Sequence, residues 1–339
     1  MPEPNAIAAP TSAVTGTLLG LCSAVAYTLT NILLRHLATD HDPCWVSCLK
    51  AAPTVVIAAL LMSTPRARAR AAWPTGRLLA TLIGTGVAVQ LGGNLAFQLG
   101  LATIGLALTV PLCFGTLILA GAVMGRAWLG EAITPRALAA MALFVAAIGL
   151  LAWHAEAARD AIAQSEQSIA PVFEGKSPSA STAPSISRRA ITLGLLAAAG
   201  SGIAYALSSV VIRSAARRVS VAATLGIISL TGVVTLSVMS IARNGIAAML
   251  ATEPLALLLM ITAGILNAAA FFALGKSLQL TSVSRANMLN ASQVAMAAVA
   301  GVALFNEPAD APLVLGIALT LVGLLTFRSE PPPVELESL

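Results

Sequence analysis

The chain reads as an all-α integral membrane protein: ten transmembrane helices arranged as two inverted five-helix repeats. Three observations predict it. Apolar residues make up 58% of the 339 and charged residues only 10%, a balance foreign to water-soluble domains of this length. Ten apolar stretches of roughly 18–22 residues follow one another, each enough to cross about 30 Å of hydrocarbon as a helix. The first stretch is written twice: GTLLGLCSAVAYTLTNILLR (Gly16 to Arg35) and GLLAAAGSGIAYALSSVVIR (Gly194 to Arg213) share Gly, Leu, Ser, Ala, Tyr, Leu and Arg without a gap.

The stretches fall near 14–34, 45–62, 78–98, 104–124 and 136–153, then near 191–212, 221–241, 255–274, 285–304 and 312–328. Helices are required because a backbone in lipid must satisfy its own hydrogen bonds, and no period-2 pattern of a barrel is present. No basic residue precedes the first stretch, and Leu21 before Cys22 is too bulky for a lipoprotein cleavage site, so helix 1 is expected to be retained. Residues 1–153 make the first repeat, 154–190 a flexible extracytoplasmic linker, 191–330 the second repeat and 331–339 a cytoplasmic tail. The linker turns Ser/Pro-rich (KSPSASTAPSIS), a composition unable to bury a core.

Charge orients the spans. Arg66, Arg68, Arg70, Arg77, Arg126, Arg136, Arg213, Arg217, Arg218, Lys276 and Arg328 all fall in connections on one side, whereas the opposite short loops carry Arg35 and Arg243. The positive-inside rule puts the first set, and both termini, in the cytoplasm. Each repeat holds an odd number of spans, so the second copy lies upside down, and matched loops indeed carry reversed charge: four arginines follow helix 2, one follows helix 7. The net charge of +5 is spread over membrane-proximal loops rather than one basic face, so nucleic acid is not an expected partner. Cys22, Cys44, Cys48 and Cys113 lie in or beside spans as small packing residues, with neither the spacing nor the histidines of a metal site, so no metal or other cofactor is expected.

Further motifs carry a resemblance. DPCWVSCLKAA (Asp42 to Ala52) leads into helix 2 with Lys50 inside it; AWLGEAITP (Ala127 to Pro135) and ALFNEPADAP (Ala303 to Pro312) end helices 4 and 9 with a small residue followed by Glu; AIGLLAW and LVGLLTF close the halves. The chain resembles the ten-helix EamA-type exporters of the drug/metabolite transporter superfamily. Lys50 stands where that family more often has Arg, and Glu307 follows Asn306 rather than Gly. The resemblance implies a secondary transporter, an efflux carrier of small polar metabolites such as amino acids, working by alternating access of its inverted repeats in a bacterial inner membrane. Its partners are then the lipid bilayer and a small-molecule substrate; monomer and homodimer both stay open.

Polar residues repeating on one membrane face mark the surface turned toward a bundle or a wet cavity. Helix 1 carries Ser23, Tyr27 and Asn31 with Thr30 beside them, and its copy carries Ser201, Tyr205 and Ser209 with Ser208. Helix 3 stacks Gln90, Asn94 and Gln98; helix 8 adds Asn267 and helix 9 adds Asn287, Asn290 and Gln293. Carboxamides both donate and accept, which suits a polar or zwitterionic solute. Tyr27, Asn31, Lys50, Gln90, Asn94, Gln98, Tyr205, Ser209, Asn267, Asn287, Asn290 and Gln293 are therefore the candidate substrate-binding residues. Helix–helix glue is the competing reading of the serines. Lys50 and Arg285 either snorkel to an interface or, for Lys50, attract a substrate carboxylate. Glu131 and Glu307 are expected to cap the helix that follows each of them.

No span carries a central Asp or Glu, so facilitated diffusion, exchange or coupling through the terminal glutamates is expected rather than a mid-membrane carboxylate relay. An enzyme is not expected: a membrane-embedded transferase would need paired acidic or His/Asp groups at a membrane face, and DHD (Asp40 to Asp42) is the one candidate. A lipid translocator is the other alternative, and the carboxamides argue mildly against it.

Overall fold

The computed structural model describes residues 10–38, 40–64, 73–130, 133, 135–136, 138–147, 149–150, 188–216, 218–281, 283–290, 292–307 and 309–326. The expected linker up to residue 187, the tail 331–339, and Arg66, Arg68, Arg70, Glu131, Arg217 and Arg328 lie outside them. Every regular element among the described residues is a helix: α1 (Pro10–Leu37), α2 (Pro43–Ser63), α3 (Gly76–Ile104), α4 (Leu106–Leu129), α5 (Leu138–Ala147), α6 (Arg188–Ala215), α7 (Val221–Leu250), α8 (Pro254–Leu280), α9 (Val283–Asn290), α10 (Gln293–Phe305) and α11 (Ala311–Thr326).

Local chemistry sets the helix ends. Asp42 caps α2, accepting from Trp45 N at 2.8 Å, and Pro43 fills the first position where its missing N–H costs nothing. α4 closes on Gly130 at φ 69° and α10 on Asn306 at φ 51°, both left-handed. That conformation favours Gly and tolerates Asn, which explains why the small-residue-then-Glu signature reads Gly in one half and Asn in the other.

Among the described residues seven helices, α1 to α4 and α6 to α8, are long and apolar enough to cross a membrane. The ninth expected stretch, 285–304, is not continuous. The described residues there form two helices, α9 ending at Asn290 and α10 starting at Gln293, with Ser292 Oγ donating to Leu289 O at 2.8 Å and Gln293 Nε2 to Asn290 O at 2.9 Å beside the junction. α7 instead overruns its expected end at 241, continuing to Leu250 through a kink at Gly245, φ 74°.

Along the middle of α1 burial is inverted relative to a soluble protein. On α1, Leu18, Leu21, Val25 and Leu29 are exposed while Ser23, Thr30 and Asn31 are buried. Leucine outside and amide inside is the arrangement that lipid requires.

Close glycine contacts and buried hydrogen bonds pair the helices. α1 runs antiparallel to α8, with Gly16 on Thr281 and Leu280 at one end and Thr30 Oγ1 donating to Ala263 O at 3.4 Å further along. α6 runs antiparallel to α3 in the same way, through Gly194 on Thr103 and Tyr205 on Gly93. α6 is parallel to α4, Thr116 Oγ1 donating to Ala199 O at 2.9 Å, and α1 is parallel to α9 and α10, with Gly20 on Leu289 and Asn31 on Gln293. α2 and α7 are antiparallel, joined by Ser240 to Asp42 and by Cys48 to Ser237.

Candidate functional site

A cavity of about 90 Å³ lies where α1, α2, α3, α4, α6, α7, α8, α9 and α10 converge. Two breaks in regular helix border it. Val89–Leu95 of α3 is π-helical, a widened turn of the kind common at functional positions, and the α9–α10 break supplies Asn290 and Gln293 to the lining.

The wall from α2, α3 and α6 is built on Asn94. Lys50 Nζ donates to Asn94 Oδ1 at 2.7 Å, Tyr205 OH donates to the same oxygen at 2.8 Å, and Asn94 Nδ2 donates to Gln90 Oε1 at 2.5 Å. Two glycines make the arrangement possible. A Cβ at Gly93 would stand 2.8 Å from Tyr205 Cε1, and one at Gly232 of α7 would collide with the Gln90 amide. The facing wall, from α1, α9 and α10, is made of amides: Asn31 Nδ2 donates to Gln293 Oε1 at 3.0 Å, Gln293 Nε2 to Asn290 Oδ1 at 3.2 Å, and Ser23 Oγ to Asn290 Oδ1 at 3.2 Å.

Ten of the twelve expected residues line this one space: Tyr27, Asn31, Lys50, Gln90, Asn94, Tyr205, Ser209, Asn267, Asn290 and Gln293. Lys50 does not snorkel. It is 4% exposed, eight residues into α2, with its amine turned onto Asn94. Arg285 stays at the end of the bundle, where Nη2 donates to Thr17 Oγ1 at 3.0 Å.

Gln98 and Asn287 lie elsewhere. Two helical turns beyond Gln90, a rise of about 12 Å, Gln98 has passed the cavity and donates to Leu34 O at 3.2 Å. Leu34 O is one of the last carbonyls of α1, without a helical partner because Ala38 N turns to Arg35 O. Gln98 therefore caps α1. Replacing it with leucine is expected to lower stability by about 1 kcal/mol without altering which solutes bind; thermal unfolding in detergent beside a ligand panel checks this, and a changed ligand preference would contradict it. Asn287 sits one turn from Asn290, its Oδ1 accepting from Ser209 Oγ at 3.0 Å and its Nδ2 packed against Gly121.

The lining also includes Phe97, Phe114, Phe271 and Ser229, which polar stripes do not reveal. Phe97 meets Tyr205 edge-on, with ring centroids 6.3 Å apart. Ser229 is one of several hydroxyls scattered along α7, with no polar residue three or four positions away on its face to mark it.

Glu307 is a cap, but of a different helix from the one expected. Its Oε1 accepts from Leu106 N at 2.7 Å and from Arg35 Nε at 3.1 Å, and its Oε2 accepts from Ala107 N at 2.7 Å. The left-handed Asn306 turns the chain so that this carboxylate reaches the first turn of α4, while α11 is capped by Asp310, which accepts from Leu313 N at 3.0 Å. Gly105, at φ 79°, leaves the space that the carboxylate enters.

Comparison with known proteins agrees with this architecture. The EamA-like transporter family model matches residues 192–328. One solved crystal structure superposes with a TM-score of 0.60 at 16% identity over 92% of this chain and 96% of the other, a likeness of fold. No curated protein matches. The apolar helices and the family match together imply a multi-pass membrane protein. Residues 192–328 form an EamA-like transporter family domain, consistent with membership of the drug/metabolite transporter superfamily.

Proposed function

We propose that the chain is a secondary carrier that exports small polar metabolites, such as amino acids, by alternating access of two inverted five-helix repeats, 1–153 and 191–330, joined by a tether at 154–190. The observation that carries this reading is a cavity between the two halves whose lining sets amides, hydroxyls and one lysine amine among aromatic and aliphatic side chains. The surroundings of the duplicated helices support the inversion. α1 is antiparallel to α8 and parallel to α9 and α10; α6 is antiparallel to α3 and parallel to α4. Each copy thus meets the third and fourth spans of the opposite half, as an exchange of halves requires.

The charge bias favours cytoplasmic termini in a bacterial inner membrane, with lipid around the bundle. The residues lining the cavity bind the solute, and the chemistry is translocation without covalent change. Glu307 ties the ends of α1, α4 and α10 together at the Arg35 end, and in this reading release of that tie opens the end during transport.

Purified chain in liposomes, assayed by counterflow with labelled amino acids, sugars and cationic dyes, tests the proposal. At least one labelled solute is expected to accumulate unaltered. Recovery of chemically modified label, or movement of phospholipid analogues alone, would overturn it.

A further inference from the structure

We propose that the cavity recognises its ligand through a single carboxylate, taken by Lys50 and the N–H groups beside it; this rests on the carrier reading above. Lys50 carries a basic amine enclosed among α2, α3 and α6 whose bond is to a neutral carbonyl, and no Asp or Glu is among the described residues lining the cavity. A buried charge held without a counter-charge is expensive. An arriving anion removes that cost, which makes the ligand itself the missing partner.

The hydrogen-bond polarity of this wall agrees. A lysine ammonium, the form an anionic ligand favours, can only donate, so Asn94 turns Oδ1 toward it, and Tyr205 OH spends its proton on the same oxygen. Asn94 is thereby obliged to present its amide nitrogen to Gln90. The acceptor at the centre of the wall is used, and the unspent groups are protons: two on Lys50 and a second on Asn94 Nδ2. A cation flanked by free N–H groups complements a carboxylate. One positive charge balances one negative charge, so a monoanionic head group fits better than a doubly charged phosphate. The facing amides of Asn31, Asn290 and Gln293 carry no charge and leave the remainder of the solute to be polar and neutral overall.

Matched pairs of probes separate this from the general carrier reading. Leucine, serine and glutamine are compared with leucinamide, serinamide and glutamine amide, in proteoliposome counterflow and as stabilisers of the detergent-solubilised full chain. At least one acid is expected to exceed its amide by about tenfold. Lys50→Gln should bring that ratio close to one, and Lys50→Arg should keep it. Asn94→Asp, nearly identical in shape, supplies an internal carboxylate beside Lys50 and should also abolish the preference, which keeps the test alive if Lys50→Gln fails to fold. Every amide moved or bound as well as its acid, or a ratio unchanged in both variants, overturns the proposal. Transport of sugars or dyes without any carboxylate overturns it while the carrier reading stands. Absence of both transport and stabilisation by every probe sinks the two together.

Discussion

Replacing Glu307 with alanine is expected to destabilise the folded protein by about 3 kcal/mol. The carboxylate satisfies two backbone N–H groups, of Leu106 and Ala107, that have no partner inside α4. It also holds the guanidinium of Arg35, whose side chain is 20% exposed against 11% for Glu307 and lies 5.5 Å over the Phe305 ring. Alanine leaves all of these groups at the N-terminal dipole end of α4 without an acceptor. Glutamine keeps the volume and one acceptor oxygen, so Glu307→Gln should lose about half as much. Thermal unfolding in a single detergent measures both, and a loss under 0.5 kcal/mol in the alanine variant would refute the cap. If the same bonds close the Arg35 end during transport, the glutamine variant should also change the exchange rate more than its stability alone explains.

Gly202→Val is expected to abolish the monodisperse folded chain. A Cβ there would overlap Cys113 O and Thr116 Oγ1 and stand 2.8 Å from Leu117 N, so the obstacle is largely the backbone of α4 and no rotamer change relieves it. Overpacking a close helix crossing costs about 3 kcal/mol or more, and here it separates α4 from α6, the seam that Thr116 also bridges through Ala199 O. Gly200, two residues earlier on the same helix, has nothing within 4 Å of its Cβ position. Gly200→Ala should therefore be neutral or slightly stabilising. Size-exclusion profiles of the two variants side by side decide the matter, and equal recovery of folded protein would show that the seam is not close-packed.

Periodicity and composition carried the bundle, because lipid leaves a helix few alternatives, and polar stripes on α1 and α3 led to most of the cavity. What they could not carry were interactions between distant segments. Gln98 obeys the same spacing as Gln90 and Asn94, yet its environment is set by where α1 happens to end. Glu307 bonds residues about two hundred positions away, a pairing that only the left-handed turn at Asn306 brings about. Lys50 has the composition of a snorkelling residue; its depth follows from Pro43 starting α2 early and from Asn94 meeting the amine inside.

Two copies of one ancestral unit would offer a guest the same groups whichever way round it entered. The seven widened residues Val89–Leu95 have no counterpart in α8, which is regular from Pro254 to Leu280. Together with the division of α9 from α10, where α4 is continuous, and with Lys50 on α2, that departure removes the equivalence; in the proposed carrier an occupant then has a defined head and tail, and reversing it inside the pocket means losing its best contacts on the way through.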